Sequence, residues 1–310
     1  MSMVIVTGGA GFIGSHLADE LVRRGHRVII LDNRSTGRMS NIEPLLRDGS
    51  AEFVQGSITD LPLLRKLFSG ADYVFHQAAI PSVPRSVKNP KASHDANVTG
   101  TLNVLLAAKD NGIKKVVYAS SSSVYGDTPT LPKIEDMIPN PLSPYAVNKL
   151  AGEYYCRVFH EIYGLNTVCL RYFNVYGPRQ DPNSSYAAVI PLFINNALAG
   201  KSPIIFGDGE QSRDFTFVKD VAQANILAVE SKTTGIFNIG GSKRVTINQL
   251  AHLIIKFVGK GAVKPIYKDR RPGDIAHSLA DISKARAFGY HPKYSLDDGL
   301  KETLSTFCKR

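Results

Sequence analysis

Short runs of β-branched and apolar residues recur along the first half of the chain, separated by stretches with helical spacing. Residues 3–6, 27–31, 51–54, 73–76, 115–119 and 167–171 read as strands. Their runs are nearly continuous rather than alternating, which marks strands covered on both faces. Between them, 12–24, 60–68, 92–111 and 144–163 place apolar residues three and four apart, as at Leu102, Leu105 and Leu106, and predict helices. Strand–helix alternation of this kind predicts an α/β fold, a doubly wound parallel sheet whose ligands sit at the carboxyl ends of its strands. After residue 176 the pattern loosens into a Pro/Gly-punctuated stretch, a helix near 186–199, short strands and late helices. Thr246 with Gln249, and Ser295 with Asp298, have the spacing of capping boxes and mark two late helix starts. The C-terminal third is thus expected to form a smaller lobe over the sheet's ligand edge.

One turn changes this from a scaffold to a binding site. Thr7-Gly-Gly-Ala-Gly-Phe-Ile-Gly14 follows the first strand and opens the first helix. Gly8, Gly11 and Gly14 let the turn tighten, let backbone approach a pyrophosphate at the helix's positive end, and let helix pack on strand. The second strand ends at Asp32, 18 residues beyond Gly14, where a carboxylate accepts hydrogen bonds from an adenosine ribose. The same carboxylate would repel a 2′-phosphate, so the expected cofactor is NAD rather than NADP. Two decoys fail on context. Gly200-Lys201-Ser202 lacks the earlier glycine of a phosphate loop and runs into Pro203, and His160-Glu161 has Gly164 where a zinc motif needs its second His.

Composition excludes more than it assigns. The chain has 310 residues, with 37 Lys+Arg against 27 Asp+Glu, a net charge of +10. No stretch approaches the ~20 apolar residues of a membrane span, so no membrane partner is expected. The start shows no basic, apolar and cleavage-site sequence of a secretory signal, and Cys156, Cys169 and Cys308 are too scattered for a disulfide framework. A cytoplasmic location is expected, and no metal site. The basic residues are spread along the chain in short pairs such as Arg23-Arg24 and Arg270-Arg271, without interleaved aromatics, so no nucleic-acid partner is expected.

The chemistry lies in a second constellation. Ser120-Ser-Ser-Ser123-Val-Tyr-Gly126 follows the fifth strand, and Tyr145-Ala-Val-Asn-Lys149 opens the next helix. Tyr and Lys four apart project from one helical face. A phenol of pKa ~10 is a poor base at neutral pH, but a nearby ammonium and a positive nicotinamide ring favour its phenolate and suit it to take a hydroxyl proton.

Together these residues make the sequence resemble the extended short-chain dehydrogenase/reductase family over essentially its whole length. Within that family it is similar to the NAD-dependent 4-epimerases of UDP-glucose and UDP-N-acetylglucosamine. The resemblance implies a Rossmann-like fold with a catalytic triad of Ser121, Tyr145 as base and Lys149. It places the cofactor on Gly8, Gly11, Phe12, Ile13, Gly14, Asp32, Asn33, Ser57, Ile58, Gln77, Ala78, Ala79, Asn97, Tyr145, Lys149 and Tyr172. The UDP-sugar substrate would meet Ser82, Ser121, Ser122, Ser123, Tyr145, Asn174, Ala188, Val189, Phe206, Arg213, Arg271, Asp274 and Ser278. Two guanidiniums, Arg213 and Arg271, suit a diphosphate because planar forks bind its oxygens bidentately. Sugar dehydratases of the family carry Asp and Glu, and decarboxylases a Glu, in the turn where this chain has Ser122 and Ser123. The usual Asp near adenine is here Ser57.

The position matching Ser278 acts in the family as a gate, and its small side chain implies room for an N-acetyl group. The resemblance further implies a cofactor domain over 1–175 plus about 212–245, a nucleotide-sugar lobe over 176–211 plus 246–310, and a homodimer built from the helices at 92–111 and 144–163. A UDP-glucuronate 4-epimerase or another nucleotide-sugar oxidoreductase is the nearest alternative. A non-catalytic dinucleotide-binding regulator or RNA-binding relative is the alternative from a different class, against which the intact triad argues.

Overall fold

The computed structural model describes residues 1–181, 188–259, 263–270 and 275–308. Seven strands form one parallel sheet: β1 (Met3–Thr7), β2 (Arg27–Asp32), β3 (Ala51–Gln55), β4 (Tyr73–His76), β5 (Lys115–Ser121), β6 (Thr167–Tyr172) and β7 (Gly235–Ile239). Their spatial order is β7-β6-β5-β4-β1-β2-β3. The order reverses between β1 and β4, which pair in register from Val4↔Tyr73 to Thr7↔His76, and the crevice beyond their carboxyl ends is where a ligand fits such a sheet. The six sequence-read strands match β1 to β6. The seventh was hidden in the loosened region.

Apolar residues on both faces of the sheet explain its unbroken apolar runs. On one face Val4, Val6, Ile30 and Val117 pack with Leu17, Leu21, Val221 and Ala224. On the other, Ile5, Ile29, Val74 and Val116 pack with Val104, Leu105, Cys156 and Phe159. The covering helices are α1 (Phe12–Arg23), α2 (Gly100–Asp110), α3 (Pro144–Tyr163) and α5 (Val218–Glu230). A third apolar cluster binds α4 (Val189–Leu198), α6 (Ile247–Val258) and α7 (Leu296–Phe307) through Ile194, Ile254 and Leu304.

The helix expected over 92–111 is three pieces. A turn at Pro90–His94 leads into a wide π turn at Asp95–Thr99, and only then comes α2. The side chain of Asn97 accepts from Ile80 N at 2.8 Å and donates to Ile80 O at 3.2 Å, which ties the irregular turn to the loop after β4. Helical spacing does not announce such a turn, because the bonds that hold it come from Ile80, in the loop after β4. Of the two expected capping boxes, Thr246 and Gln249 form a reciprocal one. Ser295 caps α7 by accepting from Asp298 N, but its hydroxyl donates to the Asp298 carboxylate, so the second half of the box is missing.

Candidate active site

Two cavities meet at the carboxyl ends of β1, β4 and β5. The first, of about 300 Å³, is lined by Gly8, Gly11, Phe12, Ile13, Gly14, Asp32, Asn33, Ser57, Ile58, Gln77, Ala78, Ala79, Tyr145, Lys149 and Tyr172, among others. The expected cofactor residues are thereby brought to one wall, except Asn97. That side chain is 1% exposed and spent on Ile80, so its role is to shape the wall from behind.

The glycine turn has the form the sequence implies, for a steric reason. Gly8 has φ +69°, and a Cβ there would stand 2.6 Å from Ala78 N and 2.7 Å from Ala78 Cα. A Cβ on Gly14 would collide with the Gly8 carbonyl. Gly11 N donates to Gly8 O at 3.0 Å and begins α1, which leaves the first N–H groups of α1 aimed at the cavity. Asp32 accepts from Ala10 N at 3.1 Å and Arg34 N at 2.6 Å. Burial raises its carboxyl above the ordinary range, and these two backbone donors oppose the rise. A narrow glycine cradle, a helix N-terminus and a held carboxylate at the end of β2 are the parts an adenine dinucleotide requires, so the residues fit NAD.

At the other end of the cavity, Gln77 Nε2 donates to Tyr172 Oη at 3.1 Å and to Asn225 Oδ1 at 2.9 Å, and Asn225 Nδ2 donates to Tyr172 Oη at 2.8 Å. Burial keeps the Tyr172 phenol protonated. Asn225, fully buried on α5, completes this triangle and was missed by sequence reasoning. Nothing near it in the chain signals chemistry.

Tyr145, Lys149 and Glu153 stand at four-residue intervals along one face of α3. Ser143 caps that helix by accepting from Ala146 N, Pro144 occupies its first turn, and Tyr145 N donates to Ser86 Oγ at 3.0 Å. Lys149 is 4% exposed; its ammonium donates to Ala119 O at 2.7 Å and lies 5.0 Å from the Tyr118 ring centroid and 5.9 Å from that of Tyr145. Burial lowers its pKa to about 8, against the pull of Glu153. Tyr145 is pushed up to about 12 by burial, and a hydrogen bond with Ser121 opposes this. Without a bound cation the phenol therefore keeps its proton, so the positive nicotinamide ring is the needed half of the expected activation. Ser121 also accepts from Ser123 N at 3.1 Å, which seats the short turn Ser122–Tyr125 beside Tyr145.

The second cavity, of about 900 Å³, carries Ser82, Ser121, Ser122, Ser123, Tyr145, Asn174, Ala188, Arg213 and Ser278 on its wall. Val189 and Phe206 are not on it. Arg271 and Asp274 lie outside the described residues. Among the described lining residues, Arg34, Arg38, Arg85, Lys133, Arg179 and Arg213 face a single acid, Asp181. Part of the +10 charge is thus concentrated here. Asn174 at φ +33° donates to Ser278 Oγ at 3.1 Å and to Asp214 O at 3.0 Å, tying the end of β6 to the C-terminal third. Gly11, Phe12, Ser120, Tyr145 and Tyr172 belong to both cavities, so Tyr145 stands where they join.

Comparison with known proteins decides the lineage. Residues 4–240 match the model of the NAD dependent epimerase/dehydratase family. The chain belongs to that family. A solved UDP-N-acetylglucosamine 4-epimerase of Methanobrevibacter ruminantium, in complex with UDP-N-acetylmuramic acid, is 46% identical over 99% of this chain and 98% of its own, with a TM-score of 0.96. A UDP-glucose 4-epimerase of Thermotoga maritima, solved with UDP-glucose, is 41% identical over 99% of each chain, with a TM-score of 0.94. A UDP-glucuronate 4-epimerase of Thermodesulfobacterium geofontis is 37% identical over 98% of this chain and 96% of its own. Membership makes NAD the cofactor, and the glycine cradle and Asp32 of the first cavity fit it. Among the described residues there is no cluster of His, Cys, Asp and Glu placed to hold a metal, and no helix long and apolar enough to cross a membrane.

Proposed function

We propose that the protein is a UDP-sugar 4-epimerase that interconverts UDP-glucose with UDP-galactose and UDP-N-acetylglucosamine with UDP-N-acetylgalactosamine. The observation that carries this reading is Tyr145 at the junction of the cofactor cavity and the cationic cavity, hydrogen-bonded to Ser121 and backed by Lys149. Bound NAD supplies the oxidant for sugar C4 and, once reduced, returns what it took. Tyr145 takes the proton of the C4 hydroxyl and gives it back, Ser121 holds the same sugar oxygen, and Lys149 favours the phenolate together with the positive charge of the oxidised cofactor. Arg213, with Arg271, holds the diphosphate while the 4-keto sugar turns over its other face. The turn beside Tyr145 offers Ser122 and Ser123, and no described carboxylate reaches the junction from it. That favours return of the hydrogen over elimination or decarboxylation.

Ser278 supports the acceptance of N-acetyl sugars, being small and on the cavity wall. The same cationic wall supports UDP-glucuronate as the second reading. A panel of UDP-galactose, UDP-N-acetylgalactosamine and UDP-glucuronate, with bound NAD measured on the same sample, tests both. No turnover of any of them refutes the epimerase reading.

We also infer a homodimer in the cytoplasm. On α3, Val147, Tyr154, Val158 and Ile162 are exposed along one side, beside Val87. Leu105, from the helix expected to share that interface, is instead in the core, and Leu102 packs against it. The division into a cofactor domain of 1–175 plus about 212–245 and a sugar lobe draws support from the separate apolar cluster of α4, α6 and α7.

A further inference from the structure

One fully buried ion pair lies directly beneath the reacting groups. Glu153 and Arg171 are 0% and 2% exposed, joined by Nη2–Oε2 at 2.7 Å and Nε–Oε1 at 2.9 Å. Two desolvated charges of this kind are weak evidence of stabilisation, since an apolar pair of similar volume often does as well. Its surroundings show a different use. Glu153 follows Lys149 by one helical turn on the face that carries Tyr145, and its Oε1 also accepts a 2.5 Å hydrogen bond from Ser120 Oγ. Ser120 is the neighbour of Ser121 at the end of β5, directly opposite Arg171 in register. One carboxylate therefore reaches both partners of Tyr145, the ammonium through the helix and the serine through the strand end.

We propose that Glu153, clamped by Arg171, is a positioning residue for proton transfer at Tyr145, holding the Ser120–Ser121 strand end and presenting a fixed negative charge to the Lys149 ammonium. This rests on the epimerase reading and adds to it the group that sets the base's two partners.

Apart from the Arg171 clamp on Glu153, the other groups around Lys149 carry no charge. From its own helix come Tyr145 and Cys156, from β5 the Tyr118 ring and the Ala119 carbonyl, and from β4 His76, which burial and Lys149 keep neutral. Glu153 is the one carboxylate among them, and Arg171 and Cys169 on β6 lie beyond it. Without Glu153 the lysine yields its proton at lower pH. The phenolate of Tyr145 then forms only at higher pH, and the acidic limb of the kcat profile moves up.

Three variants test this on the full-length protein with UDP-galactose. Ser120→Ala removes the strand-end bond without touching a charge. It is expected to lower kcat roughly tenfold with KM, bound NAD and Tm unchanged. E153Q is expected to lower kcat further and to move the acidic limb upward. The double variant E153M/R171M leaves no stranded charge, so it keeps its fold; it is expected to retain the low kcat and the displaced limb. Wild-type kcat and pH profile in E153M/R171M, or wild-type kcat in Ser120→Ala, overturn the proposal and reduce the pair to a structural one. If the charge variants do not fold, Ser120→Ala decides alone. Wild-type enzyme inactive on every UDP-sugar refutes the epimerase reading, and the inference with it; active wild type with unaffected variants refutes the inference alone.

Discussion

Gly8→Ala is the substitution whose outcome the geometry constrains most tightly. The new methyl would stand 2.6 Å from Ala78 N, 2.7 Å from Ala78 Cα and 2.9 Å from Gln77 C, all backbone, where ordinary contact begins at 3.4 Å. The turn must therefore retreat from the end of β4 by roughly 0.8 Å, and a side chain cannot rotate away to spare it. The φ of +69° adds a left-handed penalty of about 1–2 kcal/mol, and overpacking about 1–3 kcal/mol. Together these lower Tm by roughly 5–15 °C for a chain of this size. Gly112→Ala is the control, because Gly112 has φ +65° with nothing within 4 Å of its Cβ position. That variant carries only the left-handed penalty, a fall of a few degrees. The decisive assay is NAD retained per chain after gel filtration. Gly8→Ala is expected to lose its NAD and Gly112→Ala to keep it, with activity of Gly8→Ala restored in part by excess NAD. Equal NAD content in the two variants refutes the assignment of this turn to the cofactor.

Tyr145→Phe is expected to lower kcat on UDP-galactose by roughly 10²–10⁴ with KM little changed, read in a coupled assay. Near-normal turnover contradicts its role as base. Ser278→Tyr is expected to abolish turnover of UDP-N-acetylgalactosamine and spare UDP-galactose, and an equal loss of both removes Ser278 as the determinant of sugar size. His76, whose pKa burial lowers to about 3, stabilises the fold fully above its unfolded pKa of 6.5 and progressively less as pH falls toward 3. At pH 5 the deficit is about 2 kcal/mol. Urea unfolding at pH 7.5 and 5 should show that much more acid loss in wild type than in His76→Gln. Val158→Glu with Ile162→Arg is expected to convert a dimer to monomers by sedimentation without lowering Tm, and an unchanged sedimentation coefficient excludes that helix face from the interface.

The sheet was legible because strands covered on both faces are mostly apolar, and β1, β2, β4, β5 and β6 carry such runs; the edge strand β3, with Glu52 and Gln55 exposed, shows only a short one. Strand β7 was not legible, since Gly235-Ile-Phe-Asn-Ile239 mixes a glycine and a buried Asn into five residues. The paired strands at Ser212–Asp214 and Arg244–Thr246 are three residues long, too short to show a period. The cofactor turn was legible because glycine spacing is dictated by backbone contacts one element away. The π turn at Asp95–Thr99 was not, because it is held by the bonds of Asn97 to Ile80, which exist only once the chain is folded.

The same distinction separates the residues of the site. Tyr145 and Lys149 could be read together because one helix fixes their spacing, and Glu153 continues that spacing by another turn. What the sequence could not show is that Arg171 and Ser120, from two neighbouring strands, converge on that one carboxylate. Local periodicity says which side chains share a face, while the identity of the face opposite is a property of the sheet order. Tyr172 with Asn225 follows the same rule. It joins a residue expected at the cofactor to a partner 53 positions away whose own stretch of chain carries no signal. The motif therefore locates the reacting group, and its electrostatics are set by residues that only the fold identifies.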